Sequence, residues 1–217
     1  MTNVITESLA DTWDNFCSES LSDLFDRISS GLGSWCCSNY RPYSDAIFFS
    51  CEIIGTPEPI IEIERTINFK DKFIVHDGLI INPEGRGYGR RLLRNSFNIY
   101  RAFGFKVVKI KAGMDSGPYV WARFGFLPTT ASWENLRQQV YKNLEECKDE
   151  IDEDEYQDIL EDIDVEGPRA VWILSDKEVR VGREKLGYRL LKGQCWEGFF
   201  NFDDSDAVLR FESYVGE

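Results

Sequence analysis

The sequence predicts a mixed α/β fold, and three observations predict it. Two runs rich in Ile and Phe flank the turn Thr56-Pro-Glu-Pro59, the pattern of a β-hairpin. A third apolar run leads through the glycine-rich turn Asn82-Pro-Glu-Gly-Arg-Gly-Tyr-Gly89 into a segment with apolar residues at helical spacing. Strand and helix patterns then alternate to about Pro128, as in an α/β unit. With 217 residues, 42% of them hydrophobic, the chain is long enough to bury a sizeable core.

In chain order, Thr6 to Ser30 reads as an amphipathic helix, with Leu9, Trp13, Phe16, Leu24, Phe25 and Ile28 near helical spacing and Gly31-Leu-Gly33 as its stop. The hairpin strands are Asp45 to Ile54 and Ile60 to Phe69, and Lys72 to Ile81 is a third strand. Arg90 to Phe103 carries Leu93, Phe97 and Tyr100 on one stripe and is closed by Gly104 as a left-handed cap. Lys106 to Ala112 alternates as a strand, Gly117 to Phe124 is a short helix ending at Gly125, and Phe126-Leu-Pro128 is extended. Ser132 is placed to cap a long helix with Leu136, Val140, Leu144, Cys147 and Ile151 inward, and Tyr156, Ile159 and Ile163 mark a second helix. Gly167-Pro168 ends it, and Ala170 to Leu174 reads as a strand. A helix around Glu184 to Leu191, an irregular Trp196 to Phe202 segment and a short helix after Asp204 complete the reading. No internal repeat or low-complexity linker occurs. A single domain over residues 1–217 is therefore expected, with an acidic helical insertion over about 132–166 and a C-terminal extension over about 176–217.

The net charge of −13 is unevenly spread. Glu145 to Glu166 holds 13 acidic residues and one lysine, a local −12, whereas Arg86 to Arg123 holds nine basic residues against Asp115, a local +8. A ligand within a Debye length of about 8 Å feels the nearer patch. Overall acidity argues against direct nucleic-acid binding as the main activity, yet leaves room for a polyanion at the basic stretch. The acidic segment reads as a solvated helix face or as a docking surface for a basic partner, such as a lysine-rich protein or a polyamine. No run approaches the roughly 18 apolar residues of a membrane span, and Met1 to Ala10 lacks the pattern of a secretion signal. Six cysteines without a C-x-x-C pair and a lone His76 disfavour a metal site or a disulfide framework, so reduced thiols in a cytoplasmic protein are expected.

Chemistry concentrates at the glycine-rich turn. A turn between a strand and a helix presents backbone N–H groups at the positive end of the helix, a geometry that holds phosphates. Gly85, Gly87 and Gly89 permit close approach, and Arg86, Arg90 and Arg91 add positive charge. A tight turn with solvent-facing arginines is the plainer alternative. The spacing matches neither the dinucleotide fingerprint nor the P-loop.

The run from Ile81 to Leu93 resembles the acyl-CoA pyrophosphate loop of the GNAT superfamily of N-acetyltransferases. Glu84-Gly-Arg-Gly-Tyr-Gly89 aligns with that family's pattern, with Glu84 where Gln or Arg is usual. A second hallmark, a short helix ending in Gly-Phe, is similar to Tyr119-Val-Trp-Ala-Arg-Phe-Gly-Phe126. The resemblance covers about Asp45 to Pro128 and is expected to resume at Ala170 to Leu174. It implies a mixed, mostly antiparallel central sheet flanked by helices, with acetyl-CoA as cofactor. The backbone of Leu79, Ile80 and Ile81 would pair with pantetheine, and Gly85, Arg86, Gly87, Tyr88, Gly89 and Arg90 would hold the pyrophosphate, with Arg91 adding charge. The implied reaction is transfer of an acetyl group to an amine or lysine-bearing acceptor by direct attack in a ternary complex. The family's proton-donating tyrosine falls at Trp121, which leaves Tyr119, Ser116 and Tyr88 as other donors.

Attack requires a neutral amine, and deprotonating a lysine of pKa about 10.4 at pH 7 costs roughly 4.6 kcal/mol. His76 and Asp77 lie on the strand that would carry the thioester, and Glu62 and Glu64 on the strand before it, so these are the candidate bases. Two other functions fit the same residues: an acyl-CoA-binding module with weak turnover, and an acidic interaction or inhibitor protein.

Overall fold

Residues 20–113 and 116–216 are described by the computed structural model. They form eight α-helices and nine strands, and the chain divides into two units, 1–109 and 110–217.

In the first unit, Ser20 caps α1 (Leu21–Ile28) by accepting from the Asp23 N–H. Leu24, Phe25 and Ile28 are buried. The part of the expected Thr6 to Ser30 helix that includes Leu9, Trp13 and Phe16 lies outside the described residues. Strands β1 (Ser34–Pro42), β2 (Ala46–Ile54), β3 (Ile60–Asn68) and β4 (Phe73–Asn82) follow as an antiparallel meander. Helix α2 (Tyr88–Ala102) comes next, and β5 (Val107–Ala112) follows it across the boundary of the two units. Alternation along β2 and β3 buries Ile47, Phe49, Ile53, Ile61, Ile63 and Ile67 on one face. Phe25 meets Trp35 and Phe49 there, with ring centroids 4.8 Å and 5.0 Å apart. The α2 stripe Leu92, Leu93, Phe97 and Tyr100 is buried too, and Gly104 ends the helix at φ +71°. Asn95 on α2 donates to the Ile28 and Ser30 carbonyls and so joins α2 to the end of α1.

The second unit holds α3 (Gly117–Arg123), β6 (Leu127–Pro128), α4 (Thr130–Cys147), α5 (Glu153–Val165), α6 (Ala170–Ser175), β7 (Arg180–Val181), β8 (Glu184–Lys185), α7 (Leu186–Leu191), β9 (Trp196–Asn201) and α8 (Ser205–Gly216). β6 pairs antiparallel with β9, and β7 with β8. Trp133, Leu136, Val140, Leu144, Ile159, Ile163, Leu174 and Leu190 are buried. Arg210 gathers several chain segments, donating to the Ala122 and Trp172 carbonyls and to both Asp176 carboxylate oxygens.

The fold class is the expected one, mixed α/β with mostly antiparallel strands and flanking helices. Several elements differ from their sequence reading. Ala170 to Leu174 is helix, not strand, and the expected return of the resemblance there goes with it. A short apolar run carries no periodicity that separates a buried helix from a buried strand. Trp196 to Asn201 is strand β9 with alternating burial rather than irregular. β1 was not expected at all. Helix α4 is capped by Thr129, whose side chain accepts from the Ser132 N–H, while Ser132 itself accepts from the Glu197 N–H. Glu184 and Lys185 form β8, so the following helix starts at Leu186.

Candidate functional site

The loop between β4 and α2 carries the expected phosphate-binding elements, and all of them belong to the first unit. Gly85 and Gly87 sit at φ +75° and +77°, backbone that L side chains rarely adopt. A Cβ at either position would meet nothing within 4 Å, so the space over both backbones is open. Gly89 differs, because a Cβ there would come within 3.0 Å of Ile81 Cδ1. Gly87 is the N-cap of α2 and offers no side-chain cap, and the first turn contains no acidic residue. The first N–H groups of the helix therefore lack a side-chain acceptor from the cap. Arg86 is exposed, and Tyr88 and Arg90 are half-buried. Arg91 instead turns back to donate to the Gly31 carbonyl at 2.7 Å, which braces the loop against the end of α1.

Upstream, β4 is irregular. Glu64 pairs with Gly78 and Arg65 with His76, so Asp77 is an extra residue and β4 bulges there. Asp77-Gly78 thus forms the bulge. Gly78 suits it, since a Cβ there would lie 3.0 Å from Glu64 Oε2. Behind the bulge lies Arg65, only 1% exposed, whose Nη1 donates to the Glu64 and Gly78 carbonyls at 2.7 and 2.6 Å. Burial lowers the Arg65 pKa, while the neighbouring Tyr100 hydroxyl and Asp77 carboxylate oppose that shift. The arginine ties the two strands together where the ladder is broken. The alternation of the sequence puts Arg65 on the same face as Ile61 and Ile63, but nothing in it signals the clamp.

The bulge separates the candidate bases. His76 is 4% exposed, and its Nε2 meets the Tyr100 hydroxyl at 3.3 Å. Burial, and then the Arg65 charge, hold its pKa well below 6.5. Asp77 is exposed and accepts from the Thr66 hydroxyl at 2.8 Å. A groove of about 320 Å³ is lined by Ser38, Ser50, Glu52, Glu62, Glu64 and the β4 residues Gly78 to Ile80, with Cys51 also contributing. It brings the carboxylates Glu52, Glu62 and Glu64 alongside Leu79 and Ile80, and His76 is not part of its lining.

Tyr119 and Trp121 lie on α3 in the second unit. The Tyr119 hydroxyl accepts from Arg123 at 3.1 Å, and its ring stacks edge-on with Tyr188. Trp121 packs against Phe126 at 4.9 Å. Among the described residues no cluster of three His, Cys, Asp or Glu side chains could hold a metal, and no helix is long and apolar enough to cross a membrane. Compared with known proteins, the chain matches no family model, no curated protein and no solved structure.

Proposed function

We propose that this chain is a GNAT-like N-acetyltransferase, binding acetyl-CoA at the β4–α2 loop and passing its acetyl group to a cationic amine. The observation that carries the reading is the loop itself. Two left-handed glycines open to solvent precede a helix N-terminus with no side-chain cap, with arginine on both sides of Gly87. Amides of that kind suit a pyrophosphate, and the fixed positive end of the helix strengthens their hold. The Asp77 bulge interrupts the β3–β4 ladder just ahead of Leu79 to Ile81, the stretch that would pair with pantetheine.

The groove supports a cationic acceptor. Glu52, Glu62 and Glu64 favour an amine in its cationic form as it arrives. Asp77, Glu62 and Glu64 are exposed and would take a proton from the ammonium group before its nitrogen attacks, whereas His76 is enclosed with Tyr100. A lysine side chain of a basic protein and a polyamine both meet this requirement. We place the protein in the cytoplasm, in keeping with the free thiols of Cys36, Cys37, Cys51, Cys147 and Cys195.

A second reading, acyl-CoA binding with little turnover, is favoured by Trp121 at the donor position and by the engagement of the Tyr119 hydroxyl with Arg123. Release of free CoA thiol, measured with a panel of mono- and diamines, separates the two. The transferase reading expects thiol release that depends on the amine and is abolished in Gly87→Glu. Thermal stabilisation by acetyl-CoA without release would select the binding module, and neither stabilisation nor release would overturn both.

A further inference from the structure

Two cysteines on adjacent strands face one another outside the loop and the bulge. β1 and β2 are antiparallel, and Cys37 is the direct register partner of Cys51. Directly opposed residues in such a pair have Cα atoms about 4.5–5.5 Å apart, within the roughly 4.4–6.8 Å that a disulfide spans. Both are free thiols in this structure. Their side chains interact: a hydrogen bond from Cys51 lowers the Cys37 pKa, while burial raises that of Cys51. Cys37 is half-buried and Cys51 only 2% exposed, so a dissolved oxidant reaches Cys37 first. Cys36 supplies a contrast within the same strand. It is also half-buried, but its register partner is Glu52.

We propose that Cys37 and Cys51 form a reversible cross-strand dithiol–disulfide pair that closes under hydrogen peroxide. The Cys37 thiolate attacks one peroxide oxygen, the O–O bond breaks, and the departing hydroxide takes a proton and leaves as water. Cys37 is then a sulfenic acid. The Cys51 sulfur attacks the Cys37 sulfur, the S–O bond breaks, and the Cys51 proton leaves with the hydroxyl as a second water. The two thiols together lose two electrons, and peroxide is reduced to two waters. A small-molecule thiol reopens the bond by exchange. The proposal does not rest on the acyl-transfer reading, although Cys51 also lines the groove to which that reading assigns the acceptor.

The test is peptide mapping of the full chain after peroxide treatment, thiol blocking and digestion without reduction. The proposal expects a linked peptide pair containing Cys37 and Cys51 from monomeric protein, lost on treatment with dithiothreitol. It expects Cys51 to remain reduced in Cys37→Ser. In Cys51→Ala, with folding checked by circular dichroism, Cys37 should stop at a sulfenic acid that dimedone traps. Sulfenic or sulfinic acid at Cys37 of the unsubstituted chain without the link would overturn it. So would a link through Cys36 or between two molecules, or an unreacted Cys37 at doses that oxidise the exposed Cys195.

Discussion

The His76 ring sits between β4 and α2, closed in by Phe97 and Tyr100. Its folded pKa lies well below 6.5, so above that pH it is neutral in both folded and unfolded chains and contributes no slope. As pH falls below 6.5 the unfolded chain gains a proton that the folded chain refuses. Stability is then lost by up to about 1.36 kcal/mol per pH unit until the folded pKa is reached. His76 is the one histidine in the sequence, so denaturant titrations at pH 7.5 and 5.5 should show this loss in the unsubstituted chain and a smaller one in His76→Gln. Equal losses would mean that His76 is not held neutral. Arg65 makes a second test at this scale. Arg65→Met leaves the Glu64 and Gly78 carbonyls without their donor, at about 1–3 kcal/mol each, partly offset by removing a buried cation. A net loss of about 2 kcal/mol is expected from urea unfolding, and an unchanged midpoint would count against the clamp. The alternation gives the face of Arg65, but neither effect could be read from sequence, because the carbonyls and ring that meet these side chains come from the β4 bulge and from α2.

The elements that sequence revealed best are those whose pattern is long or whose punctuation is forced. The β2–β3 hairpin and α2 came within a residue or two of their expected ends, because alternation and an Leu93, Phe97, Tyr100 stripe admit one period each. β1 was invisible, since Trp35, the adjacent Cys36 and Cys37, and Tyr40 set no regular alternation with the polar residues of Ser34 to Pro42. α6 was misread because Ala-Val-Trp-Ile-Leu is apolar on every side, and all but Ile173 of these residues are buried. The start of α4 turned on which hydroxyl caps it. Thr129→Ala should lower stability by about 1 kcal/mol and speed hydrogen exchange at the residue 132 amide. Ser132→Ala should leave that amide protected by Thr129 and instead expose the Glu197 N–H. The opposite pattern would return the cap to Ser132.

Across the whole chain, the charge of −13 is unevenly divided. Part of the acidic segment is neutralised within its own unit: Lys177 lies 2.8 Å from Glu155 and 3.8 Å from Asp162, and Arg189 lies 3.2 Å from Glu150. Tyr156, Ile159 and Ile163 on the same helix are buried, which supports the solvated-face reading of its remaining carboxylates. The groove carboxylates came together only through the register of β2 and β3, which places Glu52 opposite Glu62 and Ser50 opposite Glu64. Glu62→Gln and Glu64→Gln should each raise KM for a diamine acceptor by about two- to fivefold, the span of an exposed ion pair. The increase should shrink at high salt, and a KM unmoved by either substitution would place the acceptor elsewhere.

The proposed function depends most on the β4–α2 loop, a glycine-rich turn whose backbone at Gly85 and Gly87 is open. Calorimetric titration of acetyl-CoA into the unsubstituted chain and into Gly87→Glu tests it directly, with circular dichroism confirming that both are folded. The account predicts saturable binding at one site by the former, none by the latter, and a rise in melting temperature of about 5–10 °C at a hundredfold excess over Kd. Absence of binding by the unsubstituted chain, or equal binding by both, would contradict it.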